Sequence, residues 1–111
     1  MSDCLFCGIV AGDIPAEFVL RTDEVVAFRD INPQAPVHVL VVPTSHFANL
    51  QELAAHEPAL TVKLINAVAQ VAAQEGVGES YRLLFNTGAA VGQSVFHVHA
   101  HVLGGRDFTW P

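Results

Sequence analysis

Phe96-His97-Val98-His99-Ala100-His101-Val102-Leu103 alternates imidazole with aliphatic side chains. Successive side chains of an extended chain point to opposite faces, so His97, His99 and His101 share one face. Val98, Ala100 and Val102 share the other. The period of two predicts a strand over about 96–103, its apolar face packed under a helix.

Outward from that strand the other elements fall into place. Residues 86–94 form a glycine-bearing loop, and residues 81–85 read as another strand. Residues 56–74 read as one long helix, with Pro58 in its first turn and Gly76 past its exit. Leu60, Leu64, Ala67, Val68 and Val71 recur at helical spacing and give it one apolar stripe. Residues 37–42 are apolar on both faces except at His38, as a central strand should be, and Pro43 ends them. Phe18–Arg21 and Val25–Arg29 make a hairpin around Thr22-Asp23-Glu24. Residues 30–36 are a loop, since Pro33 and Pro36 remove backbone donors. Residues 4–11 read as a short helix stopped by Gly12 and Pro15. The order β-β-β-α-β-β predicts an α+β domain with an antiparallel sheet and helices to one side. At 111 residues the chain is one domain, 1–111.

Composition limits the partners. The formal charge is −6, and the only basic side chains are Arg21, Arg29, Lys63, Arg82 and Arg106. A surface that follows a nucleic-acid polymer needs a lysine and arginine footprint, which is missing. A phosphate-bearing ligand must therefore be small, its charge met by backbone N–H groups and histidines. Apolar residues make up 51% of the chain, which points to surface reserved for a protein partner such as a second copy. No apolar run reaches the ~18 residues that span a bilayer. The first residues lack the basic and hydrophobic segments of a secretory signal, which points to the cytoplasm.

Three imidazoles on one face are hard to explain as packing. One shared metal ion fits poorly, because the outer pair stand about 13 Å apart at Cα on a strand and zinc takes nitrogen at ~2.0–2.1 Å. A ligand lying along the strand fits better. The loop Asn86-Thr87-Gly88-Ala89-Ala90-Val91-Gly92-Gln93-Ser94 offers backbone N–H groups that can turn towards an anion. Cys4 and Cys7 form a C-x-x-C ahead of any strand, which suits plain thiols or metal ligands better than a redox pair.

The run from Gly92 to Arg106, with its His-x-His-x-His core, resembles the signature of the histidine triad (HIT) proteins. Phe28-Arg29-Asp30-Ile31-Asn32-Pro33-Gln34-Ala35-Pro36-Val37-His38 resembles that family's ribose-binding segment. Gly104-Gly105-Arg106 and the closing Trp110-Pro111 resemble the Hint branch. The resemblance implies a five-stranded antiparallel sheet with one long and one short helix, joined in a homodimer to a ten-stranded sheet. It implies purine nucleotide ligands, with Asp30 on the ribose and Leu5, Phe6, Ile9, Phe28 and Ile31 around the base. Asn86, Gly92, Gln93, Ser94 and Val95 would meet the phosphate and leaving group, and Trp110 would lie near the partner's site. The reaction implied is hydrolysis of purine nucleoside 5′-phosphoramidates, and possible aminoacyl adenylates, without a catalytic cofactor. His99 is the expected nucleophile, His101 with Ser94 the expected proton donor, and His38 a supporting residue. Cys4, Cys7, His46 and His97 would complete a structural Cys₂His₂ zinc set. Two rival functions are a non-catalytic nucleotide-binding scaffold and a metal-storage or metal-sensing protein.

Overall fold

The computed structural model describes residues 4–110, so Pro111 and residues 1–3 lie outside the described residues. Helix α1 (Leu5–Ala11) starts at Cys4, whose thiol accepts the Cys7 N–H, and ends at Gly12. Gly12 has φ 85°, the left-handed conformation a helix exit favours in glycine. Strands β1 (Phe18–Arg21) and β2 (Val25–Arg29) form the expected hairpin, and β3 (Val37–Pro43) follows. Helices α2 (Leu50–His56) and α3 (Pro58–Gln74) precede β4 (Arg82–Leu84) and β5 (Ala100–Gly104). The five strands are all antiparallel, in the order β1-β2-β3-β5-β4.

The sheet divides the core by strand parity. Val25, Ala27, Val39, Val41, Val98, Ala100 and Val102 pack against Leu60, Leu64, Val68 and Val71 of α3. Val26, Phe28, Leu40 and Val42 face the other way and pack against Phe6 and Ile9 of α1. Helices therefore cover both faces, which corrects the expectation of helices to one side.

Two further expectations need correction. The predicted helix over 56–74 is α3, entered two residues later than expected, because Glu57 leaves helical geometry at φ −138° and Pro58 opens it. Helix α2, which the sequence reading missed, is capped by the Asn49 side chain on the Glu52 N–H and makes three α-helices among the described residues rather than two. The last strand begins at Ala100, not near Phe96. Its pairing with β3 stops at Val41 and Ala100. Beyond that point the Val98 N–H bonds to the Phe47 carbonyl at 2.7 Å instead of a strand. Pro43 has no N–H with which to extend the ladder. The in–out alternation survives this bend, as Val98 is 2% exposed in the α3 core.

Candidate active site

On the α1 face lies a cavity of about 270 Å³. Its wall is apolar on the side of Leu5, Phe6, Ile9, Phe28, Ile31 and Leu40, and polar at Asp30, Ser94, His99 and His101. Phe6 stands edge-on to the rings of His99 and Phe28, at 4.9 and 5.4 Å between centroids. Larger but more open grooves lie elsewhere, one along residues 76–80 and Arg106 and another beside Cys4 and His46, and none of them contains His99 or His101.

Backbone groups fix the protonation of each site histidine. A carbonyl only accepts, so Nδ1–H of His99 donates to the His97 oxygen at 2.8 Å and Nε2 keeps its lone pair. Nε2–H of His97 donates to the Pro43 oxygen at 2.8 Å, leaving Nδ1 as the lone pair. An N–H only donates, so Nδ1 of His38 accepts from the Gln34 N–H at 3.0 Å. The proton of neutral His38 then sits on Nε2 and points to Nδ1 of His101 at 2.9 Å. Neutral His101 consequently carries its proton on Nε2. Oδ2 of Asp30 lies 3.4 Å from the same His38 nitrogen, and its Oδ1 accepts the Asn32 N–H.

All four imidazoles are depressed in basicity, chiefly by burial. Asp30 partly opposes this at His38, and the Pro43 and His97 carbonyls oppose it at His97 and His99. His101 is pushed down to about 4 by burial, then by His99 and His38, against the pull of Asp30. At pH 7 the site therefore holds neutral imidazoles.

His97 is fully buried and turned away from the cavity wall. Its Nδ1 lies 3.4 Å from the Cys4 sulfur and 3.5 Å from that of Cys7, while Nδ1 of His46 is 3.4 Å from Cys7. The edge of a tetrahedron with Zn–S ≈ 2.3 Å and Zn–N ≈ 2.05 Å is about 3.5 Å. The donor set thus has both the chemistry and the spacing of a zinc site. Asp30, His38 and His101 also cluster, but the Gln34 N–H keeps the proton on the His38 nitrogen that would have to bind an ion.

The HIT domain family matches this chain over residues 11–108. The chain belongs to the HIT family. It is 50% identical to an uncharacterized HIT-like protein of Synechococcus elongatus, over 98% of this chain and 96% of that one. It is 43% identical to a purine nucleoside phosphoramidase of Escherichia coli, over 94% of this chain and 88% of that one. A HIT family hydrolase of known structure from Legionella pneumophila superposes with a TM-score of 0.93 at 43% identity, covering 98% of each chain.

Within this HIT fold most of the expected residues meet at one cavity. Leu5, Phe6, Ile9, Phe28, Asp30, Ile31, Ser94, Val95, His99 and His101 all line it. Asn86, Gly92 and Gln93 do not. The Gln93 amide is 3% exposed and spent internally. Its oxygen accepts the Gly88 N–H, and its nitrogen donates to the Ala48 and Val95 carbonyls. The N–H groups of Val91, Gly92 and Gln93 bond within the loop as well. Those groups hold the loop's shape, while Ser94, His99 and His101 line the cavity. Sequence reading missed Leu40 and residues 14–16 in the wall. Leu40 was findable: it has the parity of His38 and pairs with His101.

Proposed function

We propose that this HIT chain hydrolyses purine nucleoside 5′-phosphoramidates to a nucleoside monophosphate and a free amine, through a nucleotidyl group on Nε2 of His99. The hydrogen bond from Nδ1 of His99 to the His97 carbonyl carries the reading. It holds a neutral imidazole with its lone pair available for attack, on the wall of a cavity containing Asp30 and an apolar recess. The planar base suits Phe6, Phe28, Leu5 and Ile9, and the ribose hydroxyls suit the Asp30 carboxylate. The name of the Escherichia coli relative supports the choice of substrate.

The Nε2 lone pair attacks phosphorus, and the phosphorus–nitrogen bond to the amine breaks. Positive charge gathers on the His99 ring, where the His97 carbonyl steadies the Nδ1–H. The departing amine takes a proton from His101, beside Ser94, with general acid help typically worth ~10²–10⁴ in rate. A group depressed to about 4 is no standing acid at pH 7. That proton is taken up with the anionic substrate, whose charge raises the pKa of a neighbouring imidazole. His38 holds His101 from behind. Water then gives a proton to the now neutral His101 and attacks the same phosphorus, and the bond to Nε2 breaks, releasing the monophosphate and returning the electron pair to His99. His99→Ala is expected to abolish amine release while AMP still binds by calorimetry. Amine release at the native rate would overturn the assignment.

Cys4, Cys7, His46 and His97 are proposed to hold structural zinc, which would tie α1 to the His97 segment and take no part in the reaction. The chain is also proposed to pair with a second copy. The position of β4 at the sheet edge and the exposed Leu83 on it support this reading. Light scattering is expected to give the mass of two chains, and a single-chain mass would contradict the pairing.

A further inference from the structure

We infer that the Cys4–Cys7–His46–His97 cluster is an effector site for the nucleotide cavity. A thiophilic divalent cation seated there raises nucleotide affinity, and nucleotide raises cation affinity by the same factor. This rests on the metal reading above, and three connections argue for it.

The first runs through α1. Cys4 caps this seven-residue helix and Cys7 lies in its first turn, while Leu5, Phe6 and Ile9 between and beyond them line the cavity. A helix this short is marginal by itself, so what anchors it decides how firmly it stands. Fixing both sulfurs fixes the apolar wall. The second runs through His97, whose ring is a ligand and whose carbonyl accepts the His99 N–H at 2.8 Å. A cation that holds the ring also holds the acceptor that orients the neighbouring imidazole. The third starts at His46. Two residues on, the Ala48 carbonyl accepts from Gln93 at 2.7 Å, and the Gln93 oxygen accepts the Gly88 N–H at 2.8 Å. Ser94 and Val95 follow directly in the cavity wall.

Each connection is a short run of bonded groups with the cation cluster at one end and the nucleotide wall at the other. Any difference that the cation makes to nucleotide affinity must appear reciprocally in cation affinity.

The test uses the full chain loaded with one zinc per copy, and the same chain stripped by a chelator. AMP and adenosine affinities are read by calorimetry. Zinc affinity is read by competition with a chromogenic chelator, with and without adenosine, which lacks the phosphate that would itself bind the metal. Stripping is expected to weaken both ligands about fivefold or more, and adenosine to tighten zinc by the same factor as its own affinity gains. Zinc uptake with unchanged adenosine affinity overturns the effector role and leaves the metal site standing. No zinc uptake overturns the metal reading and the effector role together, while the proposed hydrolysis is judged separately by His99→Ala. Circular dichroism checks that the stripped chain is folded. Should it unfold, His46→Ala replaces it, since that substitution at the exposed ligand spares both thiols and α1. Zinc affinity in that variant is then expected to drop, with adenosine affinity falling alongside it, and unchanged adenosine affinity overturns the role.

Discussion

A histidine acts according to which of its nitrogens holds the proton, and here main-chain atoms make that choice. The His97 carbonyl leaves His99 a lone pair at Nε2, and the Gln34 N–H, acting through His38, leaves His101 a donor at Nε2. The alternation in 96–103 made the shared face of these residues legible. It held no information on tautomers, because the deciding partners are 54 and 63 positions away for His97 and His101. The three internal partners of the Gln93 amide were likewise illegible, because they come from Gly88, Ala48 and Val95 and the loop sequence alone does not pair them. Burial of the imidazoles sets the pH response. His101 titrates at about 4 in the folded chain against ~6.5 unfolded, and His38 shifts the same way. Between those values the unfolded chain binds more protons, so stability falls as pH drops from about 6.5 towards 4. Each such histidine contributes a slope of about 1.4 kcal/mol per pH unit within its window. Thermal melts from neutral pH downward should show the midpoint decreasing through this range, and a flat or rising midpoint would contradict the burial argument.

Among the elements, the β1–β2 hairpin and β3 were legible almost to the residue, because turn residues and prolines bound them. The entry to β5 was not. A strand ends where its neighbour stops offering hydrogen bonds, and that property belongs to Pro43 and Phe47 rather than to 96–103. The start of α3 was legible at Pro58 in its first turn, but α2 was not, because seven residues with Leu53 as their buried side chain make no apolar stripe. At the far end of α3 the chain passes close over β5. A Cβ on Gly104 would lie 2.9 Å from Cβ and Cγ1 of Val77, and both the backbone and Val77 would have to shift. Gly104→Ala should therefore cost about 1–3 kcal/mol, read as a lower urea midpoint. An unchanged midpoint would mean that Val77 does not press on β5 as described.

For the molecule as a whole, the sheet keeps two jobs apart. The α3 face is packed with aliphatic side chains and supplies stability, while the α1 face carries the imidazoles, Asp30 and the cavity. The sequence foretold the first from the helix stripe and the strand parity. It placed α1 on the wrong side, because seven residues with two buried apolar side chains leave no periodic signal strong enough to choose a face. That helix is what turns a row of histidines into a closed recess, with Phe6 set against His99. The account stands or falls on His99 as the attacking group. The most direct measurement is rapid mixing with an adenosine 5′-phosphoramidate, quenching without acid, and intact and peptide mass analysis. One adenylyl group attached to His99 is predicted during turnover and none in His99→Ala. Steady amine release with no adduct, or with an adduct on another residue, would contradict it.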